Sequence, residues 1–347
     1  MEKTRHYGAP YKGSKNKIVK RLMAGVPSAT HFYDLFCGGC AVTHRAIEEQ
    51  RFTHYHANDL DGDGLRLFID AANGKFRNER RWISREQFFA EKDTDPYISL
   101  CWSFGNNQRD YMYSRDVEPY KRAGHEAVMH GDFSLLEELF PGLTANLTPP
   151  MSKISDLAER HFFFVLFFDN WRERQMQSGG GNCSFPDVDY HNNESIFFLK
   201  RLQHIERVAQ LAMIESTSRS LRLNDITFEQ AVDVTYTDYR NVEIADGSVV
   251  YCDIPYRGTQ CYNRQKKTAM PDAFYDDFYQ WCRRQKQLVI ISEYTMPDDF
   301  ICVAEFAHRC TLCATANNAV TERLFVPRCQ AQLYRDMMNQ GTLFSGL

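Results

Sequence analysis

The sequence predicts an α/β fold, in which a mostly parallel sheet has helices on both faces and is interrupted by a mainly helical insert. Short, continuous apolar segments alternate with helical segments near both ends of the 347-residue chain. This alternation is typical of a parallel sheet that is covered on both faces. The middle of the chain is instead rich in aromatic, Arg and Asn residues with helical periodicity, which predicts a separate insert.

The amino-terminal part of the chain predicts one βαβ unit that follows a short basic helix. The short helix is predicted at residues 14–24. It is followed by a strand at 32–36, a glycine turn at 38–39, a helix at 41–49 and a second strand at 54–58. The change from a short apolar run to a glycine turn and then to a helical pattern is the signal for such a unit. Asp59 directly follows the second strand.

The central segment, residues 86–215, predicts an inserted and mainly helical domain. Apolar residues recur there at helical spacing. After residue 219 the α/β alternation returns. Strands are predicted at residues 248–252, 288–292 and 323–326, and a helix is predicted at residues 273–284. We therefore expect residues 1–85 and 216–347 to form one core domain around the insert.

Composition argues against several classes of protein. The longest apolar run, residues 162–168, is far shorter than the roughly 20 residues that cross a bilayer. The first ten residues lack the apolar segment of a secretory signal, and eleven scattered cysteines indicate reduced thiols rather than a disulfide framework. We expect a cytoplasmic protein. The net charge of −4 argues against a wholly basic nucleic-acid coat protein.

Two pairs of cysteines have the CxxC spacing, Cys37 with Cys40 and Cys310 with Cys313. A four-thiolate zinc site and a redox pair are the functional interpretations of this spacing. The first pair lies in a glycine-rich turn and the second in an apolar stretch. We therefore expect no zinc site.

A calcium loop is a second metal alternative. The acidic and glycine positions of an EF-hand loop are matched by Asp59, Asp61, Asp63, Gly64 and Asp70. However, Arg66 occupies a position that is usually apolar, and the segment before Asp59 predicts a strand rather than a helix. Calcium binding remains a minor alternative, and we expect no metal.

The glycine turn after the first predicted strand favours a ligand that contains a ribose. In an open α/β sheet, ligands bind at the carboxyl ends of the strands, where Asp34 and Gly38 lie. Asp59 follows Gly38 by 21 residues, the usual position of a carboxylate that binds ribose hydroxyls. The turn is not GxGxxG, so a pyrophosphate cofactor is poorly supported, and an NAD-linked dehydrogenase is kept only as an alternative.

The tetrapeptide Asp253, Ile254, Pro255 and Tyr256 follows the predicted strand 248–252. Pro255 disfavours the helical region for Ile254, which directs the Ile254 carbonyl beside the Asp253 carboxylate. Two adjacent acceptors suit an exocyclic amino group, which has two N–H donors. The ring of Tyr256 offers a flat face on which a planar base can stack. The tetrapeptide therefore predicts a site for a nucleobase amine.

These motifs resemble the Dam-type (D12 class) DNA adenine-N6 methyltransferases. Residues 11–15 are similar to the family's W-A-G-G-K element, and residues 34–40 are similar to its E/D-x-F-x-G-x-G turn. Residues 58–59 match its acid after the second strand, and residues 253–256 match its D-P-P-Y signature. Residues 101–107 also resemble phage-type members. The resemblance spans roughly residues 7–60 and 220–326. Two positions depart from it, Ile254 for the first Pro and Cys40 for a Gly.

The resemblance implies a Rossmann-like, S-adenosylmethionine-dependent methyltransferase core with an inserted DNA-recognition domain. It implies methylation of adenine N6 in double-stranded DNA, with the target base flipped out of the duplex. The residues that it implies for catalysis are Asp253, Ile254, Pro255 and Tyr256. Those that it implies for cofactor binding are Tyr11, Lys15, Asp34, Phe36, Gly38, Asp59 and Asp238. In this assignment Asp59 binds the ribose and Asp238 lies beside the adenine ring of the cofactor.

DNA contacts are predicted where cations accompany aromatic or polar residues. Arg109 and Arg115 in the insert, and Lys266 and Lys267 after the tetrapeptide, are expected to contact phosphates. Arg172 and Arg174, also in the insert, are expected to contact guanine edges, since Arg pairs well with them. We expect residues 86–215 to recognise the target sequence, and the enzyme to be a monomer in a bacterial or phage-infected cell.

Two further functional alternatives remain open at this point. Cytosine-N4 methylation would use the same pair of acceptors as adenine-N6 methylation. A DNA-binding homologue with weakened catalysis is favoured only by the departures at Ile254 and Cys40.

Overall fold

The computed structural model describes residues 6–143, 154–177, 201–221, 231–258, 270–309 and 319–344. The chain divides into two units, the first made of Met1–Arg77 and Leu211–Leu347 and the second of Asn78–Gln210. The expected boundaries, near residues 85 and 216, lie close to these bounds. The role of the second unit in target recognition stays a prediction.

A sheet forms the centre of the first unit. Its strands are β1 (Ala29–Asp34), β2 (Phe52–Asn58), β3 (Val232–Thr235), β4 (Ser248–Cys252), β5 (Leu288–Glu293), β6 (Phe300–Arg309) and β7 (Ala319–Pro327). Their order across the sheet is β3-β2-β1-β4-β5-β7-β6. Strands β1 to β5 pair in parallel, whereas β7 is antiparallel to both β5 and β6. The mostly parallel, Rossmann-like core is confirmed, with an antiparallel edge in addition.

The strand order reverses at β1. This strand pairs with β2 on one side and with β4 on the other, so that Asp34 lies opposite both Ala57 and Tyr251. The segments that follow β1 and β4 therefore start from neighbouring strands at the same edge of the sheet. In open α/β sheets this reversal point is where ligands bind.

The helices alternate with the strands in the first unit and dominate the second. In chain order they are α1 (Val19–Ala24), α2 (Ala41–Glu49), α3 (Asp63–Ala72), α4 (Arg85–Glu91), α5 (Pro96–Cys101), α6 (Glu118–His125), α7 (Ser134–Leu139), α8 (Leu157–Gln177), α9 (Gln203–Leu221), α10 (Asp272–Arg284) and α11 (Ala331–Phe344). The basic helix predicted for residues 14–24 is divided into a 3-10 turn, Lys15–Lys17, and α1. No helix in these described segments is both long and apolar enough to cross a membrane.

One face of the sheet packs against α10. The buried side chains of α10 recur at helical spacing, as Tyr275, Phe278, Tyr279 and Cys282. They share one apolar cluster with Val250 and Cys252 of β4 and with Ile291 of β5. Strand β4 is buried over its whole length, so the tetrapeptide that follows it starts from the interior of the unit.

An ion pair connects the point where the chain leaves the first unit with the point where it returns. The chain leaves after Arg77 and returns at Leu211. The guanidinium of Arg77 forms an ion pair with the buried carboxylate of Glu215. The outgoing and returning segments are therefore held next to each other.

The second unit has a buried cluster of aromatic and histidine rings. His204 is hydrogen bonded to the Tyr113 hydroxyl at 2.6 Å and to His125 at 2.9 Å, and it stacks on Trp102. Burial lowers the pKa of His125 to about 4, and it lowers the pKa of His204 well below the ordinary value. Both rings are therefore neutral in the folded protein at neutral pH.

Candidate active site

The two predicted motifs meet at the carboxyl edge of the sheet. Asp34 is the last residue of β1, and Asp253 directly follows β4. Because β1 and β4 are parallel neighbours, the glycine turn and the tetrapeptide emerge side by side. Burial raises the pKa of the Asp34 carboxyl, and the negative charge of Asp253 raises it further.

The glycine turn is packed tightly against the amino-terminal element. Gly38 has a left-handed backbone (φ +48°), and a Cβ there would lie 2.7 Å from the ring of Tyr11. The N–H of Ala9 donates to the carbonyl of Gly39 at 2.7 Å. Only a residue without a side chain fits at Gly38, so the Tyr11 ring packs directly against the turn. The expected contacts of Tyr11 and Gly38 with a cofactor stay predictions.

Asp59 is held against this turn by three backbone N–H groups. Its carboxylate accepts from Gly38 at 2.8 Å, from Asp61 at 3.0 Å and from Gly62 at 3.3 Å. Burial raises the pKa of Asp59, and these three hydrogen bonds oppose that rise. The carboxylate therefore has a fixed position beside the predicted cofactor turn.

The calcium-loop interpretation of residues 59–70 is wrong. An EF-hand loop supplies ligands along its whole length, but α3 begins at Asp63, and Asp59 instead accepts hydrogen bonds from backbone groups. In the segments that the structure describes, no group of His, Cys, Asp and Glu side chains is arranged to hold a metal ion.

Asp34 is buried beside the turn and is only partly satisfied. Its Oδ2 atom accepts a hydrogen bond from the Thr43 hydroxyl at 2.7 Å. Its Oδ1 atom is buried and has no hydrogen-bond partner among the residues that the structure describes. Burial raises the pKa of Asp34 to about 7, so the site favours a cation that would pair with this carboxylate.

Asp253 forms a buried ion pair with Lys15. The Lys15 Nζ atom lies 2.8 Å from Asp253 Oδ1 and 3.7 Å from Glu322 Oε2. Burial raises the pKa of Asp253 to about 6, although the Lys15 cation opposes this rise. Burial alone would lower the pKa of Lys15, but the carboxylates of Asp253 and Glu322 outweigh it and raise that pKa. Lys15 is therefore charged, and its expected contact with the cofactor stays a prediction.

The Tyr256 ring is buried next to the same ion pair. Its hydroxyl is hydrogen bonded to the Ser292 hydroxyl at 2.9 Å, and the Lys15 Nζ atom lies 4.6 Å from its ring centroid. Tyr294 packs edge-on against it, with 4.5 Å between ring centroids. A base that stacks on Tyr256 would therefore enter the space near the Lys15 ammonium.

Strand β5 and helix α10 hold the tetrapeptide from its carboxyl side. The Tyr275 hydroxyl donates to the Pro255 carbonyl at 2.9 Å. The Arg257 N–H donates to the Glu293 carboxylate at 2.8 Å. Sequence reasoning missed Tyr275, Ser292, Glu293 and Glu322, because no local motif marks them and only the fold brings them to the site.

Two of the expected cofactor residues make other contacts. Phe36 packs against Tyr239 and Phe278, with ring centroids 5.2 and 5.8 Å away. Asp238 forms an ion pair with Arg240 at 2.7 Å and caps a 3-10 turn. Their contacts with a cofactor stay predictions.

The predicted DNA contacts lie partly outside the described residues. Arg115 is exposed and Arg109 is half-buried. Arg172 and Arg174 belong to α8, but their side chains are outside the described part, as are Lys266 and Lys267 entirely. Their DNA contacts stay predictions.

The first CxxC pair lies inside the glycine turn. The Cys37 and Cys40 sulfur atoms are 3.6 Å apart and buried. Cys40 is the residue directly before α2 and has a left-handed backbone (φ 60°). The family pattern has Gly at this position, and the left-handed conformation explains why Gly suits it. The pair Cys310 and Cys313 lies outside the described residues.

Comparison with known proteins supports the resemblance. Residues 11–137 match the model of the family described as D12 class N6 adenine-specific DNA methyltransferase. The match includes the amino-terminal element, the glycine turn and Asp59, and it ends before the tetrapeptide. No curated protein matches the chain.

Proposed function

We infer that the chain is a D12 class N6 adenine-specific DNA methyltransferase, which transfers a methyl group from S-adenosylmethionine to the N6 amino group of an adenine in DNA. The family match covers the predicted cofactor turn. One structural observation carries the proposal further. The carboxylates at positions 34 and 253 lie at the carboxyl ends of adjacent parallel strands, so a cofactor held by the turn would lie next to a base amine held by the tetrapeptide.

The tetrapeptide would activate a poor nucleophile. The lone pair of the adenine amino nitrogen is delocalised into the ring. Hydrogen bonds from this amino group to the Asp253 carboxylate and the Ile254 carbonyl would orient the nitrogen and stabilise the positive charge that develops on it. Because the Asp253 carboxylate is mostly buried, with 19% of its side chain exposed, this stabilisation is stronger than in water. In this proposal Asp253 would also accept the proton that the nitrogen then releases.

The residues at the end of β1 fit a cationic cofactor. S-adenosylmethionine supplies an electrophilic methyl group when it is bound. Within the described segments the Asp34 Oδ1 atom is buried without a hydrogen-bond partner, and the charges of Asp59 and Asp253 add to the negative potential there. We infer that Asp34 accepts hydrogen bonds from the ammonium of the methionine portion and that Asp59 binds the ribose hydroxyls.

The target base must leave the duplex to reach this pocket. Flipping costs on the order of a few kcal/mol, and stacking on Tyr256 would return roughly 1 to 3 kcal/mol. The Lys15 ammonium lies beside both the carboxylate and the ring that the base would use. We infer that the entering base displaces Lys15 toward Glu322, whose carboxylate already lies 3.7 Å away.

The identity of the methylated nucleoside tests the proposal. The protein is incubated with unmodified double-stranded DNA and S-adenosylmethionine, and the DNA is digested to nucleosides for mass spectrometry. We expect N6-methyldeoxyadenosine, and we expect Asp253→Asn to reduce its rate of formation by about 10²- to 10³-fold, as for loss of other groups that stabilise transition-state charge.

Asp298→Asn is the matched control, because Asp298 is an exposed aspartate whose carbonyl accepts from Arg328. N4-methyldeoxycytidine as the product would favour the cytosine alternative. Absence of any methylated nucleoside in DNA treated with the parent protein would favour the non-catalytic homologue.

A further inference from the structure

We propose that Tyr275 is a positioning residue that orients the Ile254 carbonyl and so compensates for the absence of a proline at position 254. This inference rests on the proposed function of the tetrapeptide. A proline ring locks φ near −65°, whereas isoleucine leaves that angle free. The chain therefore needs another constraint if the Ile254 carbonyl is to stay aimed at a base amine.

Tyr275 supplies a constraint on the peptide between Pro255 and Tyr256, one peptide beyond the Ile254 carbonyl. Its hydroxyl donates to the Pro255 carbonyl at 2.9 Å. The position of that hydroxyl is determined by packing, because the Tyr275 side chain is 1% exposed and lies in the apolar cluster on α10. The hydrogen bond therefore ties the loop to a helix that is itself fixed to the sheet.

A second constraint acts one peptide further along. The N–H of Arg257 donates to Glu293 at 2.8 Å, and Glu293 is 1% exposed at the end of β5. The Tyr256 hydroxyl is held by Ser292 at 2.9 Å. Both peptides after Pro255 are thus attached to the sheet or to α10.

These contacts leave little freedom at Ile254. On its amino side, Asp253 follows the buried strand β4 and is paired with Lys15 at 2.8 Å. On its carboxyl side, Pro255 has a restricted φ angle, and its carbonyl is held by Tyr275. The Ile254 side chain is itself 2% exposed in the apolar cluster. The same hydrogen bond keeps the Pro255 carbonyl from competing for the base amine.

The test is a double-mutant cycle between positions 275 and 254. Tyr275→Phe removes one hydroxyl and keeps the ring. We expect it to lower kcat for DNA methylation about tenfold, the size expected for loss of one orienting hydrogen bond, with the Kd for S-adenosylmethionine unchanged. We expect Ile254→Pro to restore most of that loss in the Tyr275→Phe background, so that the effects of the two substitutions on kcat are not additive. The kcat of the Ile254→Pro single variant completes the cycle.

Tyr334→Phe is the matched control. The Tyr334 hydroxyl donates to the Gly25 carbonyl at 3.1 Å, so this variant loses a comparable hydrogen bond in the same unit but away from the tetrapeptide. We expect its kcat to equal that of the parent even if thermal melting shows a similar loss of stability in both Phe variants.

Three outcomes would overturn the inference while leaving the proposed function intact. They are an unchanged kcat in Tyr275→Phe, an equal fall of kcat in Tyr334→Phe, and a failure of Ile254→Pro to restore methylation in the Tyr275→Phe background. A different result would contradict the proposed function, namely that the parent protein itself does not methylate adenine.

Discussion

The ammonium of Lys15 lies 2.8 Å from the carboxylate of Asp253, although one residue precedes the whole sheet and the other follows β4. The side chain of Lys15 is only 6% exposed, so the pair is shielded from water and from salt. Removal of one member of a buried ion pair leaves the charge of the other member uncompensated. Four expected results follow from this contact and from the other titratable and cationic groups of the molecule.

Lys15→Met should move the acid limb of the pH–rate profile to higher pH. Burial raises the pKa of Asp253 to about 6, and the Lys15 cation limits that rise. Without the cation the pKa of Asp253 rises further, so the ionised acceptor is lost at a higher pH. The measurement is kcat/KM for DNA methylation between about pH 5.5 and 8.5. Lys20→Met, at an exposed position of α1, is the control, and an unshifted limb in Lys15→Met would contradict the prediction.

Affinity for S-adenosylmethionine should rise as the pH rises toward 7. Burial raises the pKa of Asp34 to about 7, so below that pH the free protein holds a proton that a cationic ligand must expel. We expect up to about a tenfold gain in affinity per pH unit below pH 7 and little gain above it. Calorimetry in buffers of different ionisation enthalpy measures both the affinity and the released proton. Asp34→Asn should bind more weakly and without this pH dependence. If the parent shows the same flat profile, Asp34 does not contact the ligand cation.

Arg115→Ala should weaken DNA binding and reduce its salt dependence. Each phosphate contact contributes about 0.9 to the slope of log K against log salt concentration. Arg115 is exposed in the second unit, so its loss should lower the slope by about this amount with little effect on folding. Fluorescence anisotropy with a labelled duplex at several salt concentrations gives the slope. Arg335→Ala, at an exposed position of α11, should leave the slope unchanged, and an unchanged slope in Arg115→Ala as well would remove Arg115 from the interface.

Acid should destabilise the second unit through its buried histidines. Burial lowers the pKa values of His125 and His161 to about 4, below the value of about 6.5 in an unfolded chain. The unfolded state therefore binds more protons below about pH 6.5, and the free energy of unfolding falls with decreasing pH by up to about 1.4 kcal/mol per pH unit for each histidine. In His125→Gln the unfolded state should bind about one proton fewer relative to the folded state, so this slope should be smaller by up to about 1.4 kcal/mol per pH unit.

Urea unfolding between about pH 7.5 and 4.5 measures this effect. The fluorescence of Trp82 and Trp102 reports on it directly, because both rings pack against His204. His54→Gln is the control, since His54 is exposed in the first unit. A free energy of unfolding that stays constant or rises in acid would show that the histidines are not buried as neutral rings.

Local patterns were sufficient to predict the elements that begin and end within one segment. The strand at residues 248–252 and the helix at residues 41–49 have the predicted bounds, because a continuous apolar run and a glycine turn mark them. The direction of β7 could not be predicted. Its apolar pattern at residues 323–326 is the same in either direction, and the direction depends on pairing with β5.

The candidate site was predicted only where a motif is contiguous. Asp34, Asp59 and Asp253 follow strands, and their positions at one edge of the sheet follow from the α/β rule. Glu322 and Tyr275 lie in segments without a motif, so only the strand order and the packing of α10 reveal them. A lysine in an amino-terminal element likewise carries no sign of its partner, and the sheet brings Lys15 to Asp253.

The ion pair between Arg77 and Glu215 bears on how freely the second unit can vary in sequence and length. It joins the two parts of the first unit from which residues 78–210 leave and to which they return. A segment whose two ends start from neighbouring points can be replaced by one of different length without stretching the scaffold that bears it. Residues 78–210 can thus be exchanged between relatives without altering the unit that holds the candidate site. Since we propose that the second unit recognises the target sequence, we expect such an exchange to change sequence preference.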